Sequence, residues 1–213
     1  MSAATPDRLN SLLAEAGLPS LDSDLSARFA SYLALLQRWN RKVNLTSVRD
    51  EDSILRRHFV ESIACSRALP PGIGALLDFG SGGGFPGIPI AICRPEITVT
   101  LAESQNRKAA FLREAVRTLE ISANVYAGRA EAFNARFDCV VLRGVDRMET
   151  AVAAGANLVT SKGLLALMTV DTNLERLQRA AGVEFSWSHP IPLPFSENRV
   201  LVLGSRLCAK DAR

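Results

Sequence analysis

Histidine and lysine are scarce in this chain, and its cysteines are scattered. Two histidines, His58 and His189, and four lysines, Lys42, Lys108, Lys162 and Lys210, occur in 213 residues. Cys65, Cys93, Cys139 and Cys208 lie far apart with no Cys-x-x-Cys pair. That spacing argues against a structural zinc site or a disulfide framework, so no metal is expected and the thiols read as buried and free. No run of about 18 apolar residues occurs, so no membrane-spanning helix and no membrane partner are expected. Met1 to Asn10 lacks the basic-then-apolar order of a secretory signal, which makes a cytoplasmic address the expectation. Catalytic signatures are missing too: there is no Ser-His-Asp, Cys-His or paired-carboxylate arrangement. Tyr32 and Tyr126 are followed four residues on by Leu36 and Ala130, so the Tyr-x-x-x-Lys pair of many dehydrogenases is absent.

What is present is globular. Apolar residues make up 47% and charged residues 22%, with 14 Gly and 10 Pro, which excludes a disordered or collagen-like chain. The length suits one large α/β domain with a small appendage. Net charge is only +3, too little to announce a nucleic-acid partner. Almost all the basic residues are arginine, whose flat fork can grip phosphate or stack on bases, although GC-rich codon usage gives the same bias.

The rhythm changes near residue 72. Before it the pattern is helical: Leu21, Leu25, Phe29, Leu33, Leu36 and Val43 share one face, with Asp22 or Ser23 as the cap. A second helical run begins at 50–53 and ends at Pro70-Pro71-Gly72. Residues 1–72 thus read as a helical extension and 73–213 as the α/β domain. Strands are expected at 75–79, 97–102, 124–127, 137–142, 164–168, 184–190 and 199–203, with helices at about 86–93, 105–119 and 147–159. Strand–helix alternation argues for an open, mostly parallel sheet covered on both faces, ending in an antiparallel pair.

The strongest chemical signal is Asp78-Phe79-Gly80-Ser81-Gly82-Gly83-Gly84-Phe85-Pro86-Gly87, directly after the first strand. Glycines let a ligand lie against bare backbone, and Pro86 suits the first turn of a helix. Glu103 closes the second strand, where a doubly wound fold presents a carboxylate to ribose hydroxyls. A phosphate-gripping loop needs Gly-Lys-Ser/Thr, and Ile88 after Gly87 excludes it. Gly82-x-Gly84-x-x-Gly87 satisfies a dinucleotide pattern, which is weak alone. Asp78, Gly80, Gly82 and Gly84 reproduce Asp-x-Gly-x-Gly-x-Gly, the loop of an S-adenosylmethionine site, and this is the favoured ligand.

Several blocks together resemble a known family. They are Leu36-x-x-Trp39-Asn40 with Asn44-Leu45-Thr46-Ser47-Val48-Arg49-Asp50, then Arg57-His58-Phe59-Val60-Glu61-Ser62, then the glycine loop with Phe85-Pro86-Gly87-Ile88-Pro89. Gly128-Arg129-Ala130-Glu131 and Arg143 follow. From about residue 33 to 203 the chain is similar to the ribosomal RNA small subunit methyltransferase G family, also called glucose-inhibited division protein B. The resemblance implies a Rossmann-like class I S-adenosylmethionine-dependent methyltransferase fold with a seven-stranded sheet and an N-terminal helical extension. It implies methyl transfer to guanine N7 in the 530 loop of 16S rRNA, the activity of a 16S rRNA guanine(527)-N(7)-methyltransferase, with the small ribosomal subunit as partner. By analogy Asp78, Gly80, Ser81, Gly82, Gly84, Phe85 and Glu103 hold the cofactor, Ala130 and Glu131 flank its adenine, and Arg143 stands between cofactor and target. The chain departs from the family pattern at Glu61, where Asp is usual, at Gly144, where Ala is usual, and at Leu167-Met168-Thr169-Val170, where many relatives carry Lys-Gly.

Guanine N7 carries no proton, so direct in-line transfer needs no general base, in keeping with the missing catalytic signatures. Arg143 is therefore expected to position substrate, with a surface salt bridge as the plain alternative, and Arg143→Ala to stop transfer in a folded protein. Six basic residues against three acidic ones lie between Arg38 and Arg57. Arg41, Lys42, Asn44, Arg49, Arg57 and His58 are the candidate RNA contacts; a packing role serves His58 and Asn44 equally well. Two other functions stay open: a nicotinamide-dependent oxidoreductase and a non-catalytic ribosome-assembly factor. A monomer is the default expectation.

Overall fold

A computed structural model describes residues 5–208. Two helices open it, α1 (Thr5–Glu15) and α2 (Ser23–Asn40). Asp22 caps α2 by accepting from the Leu25 N–H at 2.8 Å, and Asp50 likewise accepts from Ser53 at 2.8 Å to start α3 (Glu51–Ile54). A π-helical stretch over Leu55–Val60 joins α3 to α4 (Glu61–Ala68). Then come β1 (Ala75–Phe79), α5 (Gly87–Cys93), β2 (Thr98–Glu103), α6 (Asn106–Leu119), β3 (Ala123–Ala127) and β4 (Phe137–Arg143). The chain continues with α7 (Met148–Asn157), β5 (Val159–Val170), α8 (Leu174–Ala181), β6 (Phe185–Trp187), β7 (Ile191–Pro192) and β8 (Arg199–Arg206).

The strands form one sheet in the order β3-β2-β1-β4-β5-β8-β6, with the two-residue β7 also paired to β8. The first five are parallel, and β8 runs antiparallel to β5, β6 and β7. This is the fold class expected from the sequence, seven strands along the path plus β7. Three details differ. β5 starts at Val159, five residues before the expected run, because its first residue pairs with Phe137 across a register shift. α8 is not legible in the sequence: only Leu177 and Ala181 of its eight residues are buried. Pro86 stands just before α5, after a cis peptide bond, and not within its first turn.

One face of the sheet packs with α1, α2, α4, α5 and α6 into a continuous apolar core that includes Leu12, Phe29, Phe59, Ile88, Leu101 and Phe111. α7 and α8 cover the other face with Val152 and Leu177 over Leu77, Val140 and Leu167. The N-terminal helices therefore bury their apolar stripe on the sheet layer. Among the described residues no helix is long and apolar enough to cross a membrane.

The glycine loop is packed as tightly as the core beneath it. A Cβ on Gly87 would lie 2.5 Å from Asp78 Oδ2 and press on Leu101. Gly87→Ala should therefore cost about 1–3 kcal/mol through overpacking, read as a lower urea midpoint; an unchanged midpoint would contradict this close approach.

Candidate active site

The strand order reverses between β1 and β4, and open sheets hold ligands in the crevice outside such a switch point. A cavity of about 620 Å³ lies there, inside the usual range for a small-molecule site. The glycine loop forms its floor. Gly80 and Ser81 donate their N–H groups to Ala102 O at 3.0 and 2.9 Å, tying the loop to β2. The Ser81 hydroxyl donates to Asp78 O at 3.0 Å. Behind the loop, the buried Tyr32 hydroxyl donates to Gly83 O at 2.5 Å, and burial raises its pKa well above the ordinary value.

Glu103 lies at the β2 end of the cavity. Its Oε2 accepts from Gly82 N at 3.0 Å and its Oε1 from Gln105 N at 2.7 Å. The carboxylate is thus fixed in orientation, with a second lone pair on each oxygen left for a ligand. Gly82 takes φ +54, and a Cβ there would meet nothing closer than Gly80 O at 3.9 Å, so ligand atoms can lie where a side chain would project. Ala130 and Glu131 line the same end, with Glu131 accepting from Arg129 at 2.9 Å. A ribose diol against Glu103 and an adenine near Ala130 fit this donor set, so these residues suit S-adenosylmethionine.

Asp78 and Gly84 do not line the cavity. Asp78 is 1% exposed and accepts from Gly87 N at 3.0 Å, which braces the loop from below. Burial pushes its carboxyl up to about 7, opposed by the neighbouring Ser81 hydroxyl, the Gly87 N–H and the Arg143 charge. The proton it retains stabilises the fold at low pH, and that contribution is lost as pH rises from about 4 to about 7. Wild type should therefore lose stability relative to Asp78→Asn across that window in urea melts. A difference that does not change with pH would rule out the raised pKa.

The other end of the cavity is built around Arg143, which closes β4. Its guanidinium donates to Glu61 Oε2 at 2.8 Å, to Ser62 Oγ at 3.3 Å and to the Arg57 carbonyl. Glu61 is fully buried and also pairs with Arg199, Nε at 2.8 Å and Nη2 at 2.5 Å, both on Oε1. Burial raises the Glu61 pKa, and the charges of Arg143 and Arg199 pull it back. Arg143 is therefore no surface group: its side chain is 13% exposed and paired with the fully buried Glu61, which also holds Arg199. The surface salt bridge is corrected to this extent, and Arg143→Ala should lower stability as well as activity.

His58 sits between these groups and stacks on Phe85, ring centroids 4.8 Å apart. Thr46 Oγ1 accepts from Val48 N and lies 2.7 Å from His58 Nε2. His58 Nδ1 is buried and has no hydrogen-bond partner among the described residues. Burial lowers the His58 pKa to about 3, helped by the charges of Arg143, Arg57 and Arg199. The ring is therefore neutral at ordinary pH and packs as much as it polarises.

The remaining candidate RNA contacts divide. Arg57 lines the cavity and is exposed. Arg41 and Lys42 are exposed at the end of α2. Arg49 is spent on local structure, donating to Asn40 O at 3.0 Å and to Asn44 Oδ1 at 3.3 Å. Asn40 is the lock of this turn, accepting from Leu45 N and Thr46 N at 2.9 and 3.1 Å. Trp39 donates to Glu114 on α6 at 2.9 Å. Sequence reasoning does not single out Arg199 or Gln105. Arg199 has no local motif and reaches the site only because β8 lies beside β5.

Residues 25–189 match the family model described as GidB, rRNA small subunit methyltransferase G. A ribosomal RNA small subunit methyltransferase G from Xanthomonas axonopodis pv. citri is 42% identical over 179 residues, covering 82% of this chain and 84% of the relative. Among solved structures, a methyltransferase from Pyrococcus furiosus superposes with a TM-score of 0.61 at 14% identity, over 88% of this chain and 100% of its own. TYW2 from M. jannaschii, solved in complex with AdoMet, gives a TM-score of 0.57 at 13% identity, over 70% of this chain and 76% of its own.

Proposed function

The chain belongs to the rRNA small subunit methyltransferase G family, and from that premise we propose that it methylates N7 of a guanosine in the 530 loop of 16S rRNA, at position 527. The observation that carries this reading is one crevice with two differently built ends: a fixed carboxylate, Glu103, at one and an arginine cluster at the other. S-adenosylmethionine, when bound, supplies an electrophilic methyl group. Glu103, Gly80, Gly82, Ala130 and Glu131 would hold it.

The chain's own task is alignment. Guanine N7 presents an in-plane lone pair and no proton, so a new N7–carbon bond forms as the carbon–sulfur bond breaks, and the sulfur keeps the electron pair. No base is required, and His58, neutral and hydrogen-bonded to Thr46, is not asked for one. Holding two reactants in near-attack geometry can lower a barrier by roughly 7–11 kcal/mol in favourable cases. Positive charge moves onto the base, which arginines beside it would oppose. Arg143 is therefore assigned to positioning, in reach of phosphate or a base edge.

The segment 1–72 is proposed as the part of the molecule that meets rRNA, with Arg41, Lys42 and Arg57 as its exposed cations and 73–213 as the cofactor-binding part. Removing a cation that neutralises one phosphate should flatten the salt dependence of binding by about 0.7–0.9 in log–log slope. The Arg41→Ala/Lys42→Ala protein should thus bind the small subunit with a slope shallower by up to about 2; equal slopes would remove α2 from the interface. The reading is placed in the cytoplasm, acting as a monomer. It is tested by incubating the protein with unmethylated 30S subunits and methyl-labelled S-adenosylmethionine and mapping the label. Label at N7 of guanine 527 is expected. Label on another base, or none, would overturn it. A nicotinamide-dependent activity predicts instead that NADH, not S-adenosylmethionine, raises the melting temperature. An assembly factor predicts small-subunit binding without transfer.

A further inference from the structure

Behind Arg143 lies a second cavity of about 260 Å³, between the ends of β4 and β5, the start of α7, the segment before β8 and the π-helical stretch. It shares Arg57, Arg143, Gly144 and Val145 with the first, so whatever fills it abuts the arginine end of the cofactor crevice. We propose that this second cavity receives the splayed-out purine base of the target nucleotide, with the flanking phosphate on Arg57 and Arg199.

Four observations carry this. The volume falls just short of the roughly 300–1,000 Å³ that takes a drug-sized ligand, which suits a single base. Its walls include Met148, Met168 and Leu193, and soft thioethers pack well on flat aromatic faces. Polar groups stand at its edge: Thr169, and Asn173, whose Oδ1 accepts from Arg176 at 3.3 Å and whose –NH2 remains to donate to a base acceptor. Arg143 and Arg199 share one carboxylate, Glu61, and the exposed Arg57 lines the same cavity. That surplus calls for an anion, and an RNA phosphate beside a splayed base supplies it. The same phosphate offsets the positive charge that methylation leaves on guanine. Glu61 fixes Arg143 and Arg199 from one carboxylate, so the wall between the two cavities and the phosphate seat are set by one residue.

The inference rests on the rRNA methyltransferase reading, and the test separates the two. Met148 opens α7 and is only half-buried, so Met148→Trp fills the cavity from its rim. Methyl transfer to unmethylated 30S subunits should fall at least about 100-fold in kcat, while the Kd for S-adenosylmethionine stays within about threefold of wild type. Asn173→Ala removes one hydrogen bond and should slow transfer about tenfold, and it keeps the test open should Met148→Trp fail to fold. Transfer within about threefold of wild type for Asn173→Ala and for folded Met148→Trp would overturn the proposal. So would a parallel loss of cofactor affinity, which would assign the cavity to the cofactor. A wild-type protein that transfers no methyl group to 30S overturns the functional reading itself, and that failure shows in the wild-type arm alone.

Discussion

Glu103→Ala should abolish methyl transfer at ordinary cofactor concentrations, by removing the proposed acceptor for the ribose diol. Two hydrogen bonds to a charged carboxylate contribute about 1.5–3 kcal/mol each, so the Kd for S-adenosylmethionine rises at least about 100-fold. The loop loosens as well, because Gly82 N and Gln105 N lose their acceptor. Glu103→Gln keeps one oxygen and should fall in between. Isothermal titration with S-adenosylmethionine reads the effect directly, and binding of the small subunit without cofactor should hardly change. A Kd within about threefold of wild type for Glu103→Ala would remove this carboxylate from the cofactor site.

The second large effect is on stability as much as on chemistry. Glu61→Ala leaves Arg143 and Arg199 facing each other without a countercharge, with Arg143 13% exposed. Removing one partner of a buried ion pair costs about 3–5 kcal/mol, a large share of the roughly 5–15 kcal/mol that holds a domain together. Arg143→Ala should cost less, since Glu61 keeps Arg199 at 2.5 Å. The double variant Glu61→Ala/Arg143→Ala should be more stable than the sum of the two losses, because neither charge is then stranded. Urea melts of the three proteins form the cycle. A coupling energy near zero would show that the cluster is not an energetic unit. Transfer should fall in all three, since each displaces Arg143 from the border between the two cavities.

These two predictions draw on different kinds of information. Glu103 is legible because its cause is local: a strand that ends beside a glycine-rich loop must deliver its last side chain to the same crevice, and the distance along the chain is short. The same holds for the α2 cap, offered as Asp22 or Ser23 and found at Asp22, and for the alternation of strand and helix that announces the parallel sheet. The hidden side of Asp78 is not legible. The residue type in the loop is evident, yet only packing decides that its carboxylate turns to Gly87 N and lies outside the cavity lining.

Arg143, Glu61 and Arg199 mark the limit. They are separated by 82 and 138 residues and belong to a strand end, a helix start and the antiparallel edge. Nothing in their local sequence says that one carboxylate serves two arginines. Arg49 and Arg57 look alike in the sequence, eight positions apart in one basic stretch, but the first is absorbed by Asn40 and Asn44 and the second faces the crevice. The chain alone determined the strand–helix alternation of a mostly parallel sheet and the glycine loop, and it favoured one cofactor class, because each follows from short-range periodicity and spacing. The tertiary structure decided which charges are spent on the fold and which remain for a substrate, because burial and pairing depend on what distant segments bring to the same place.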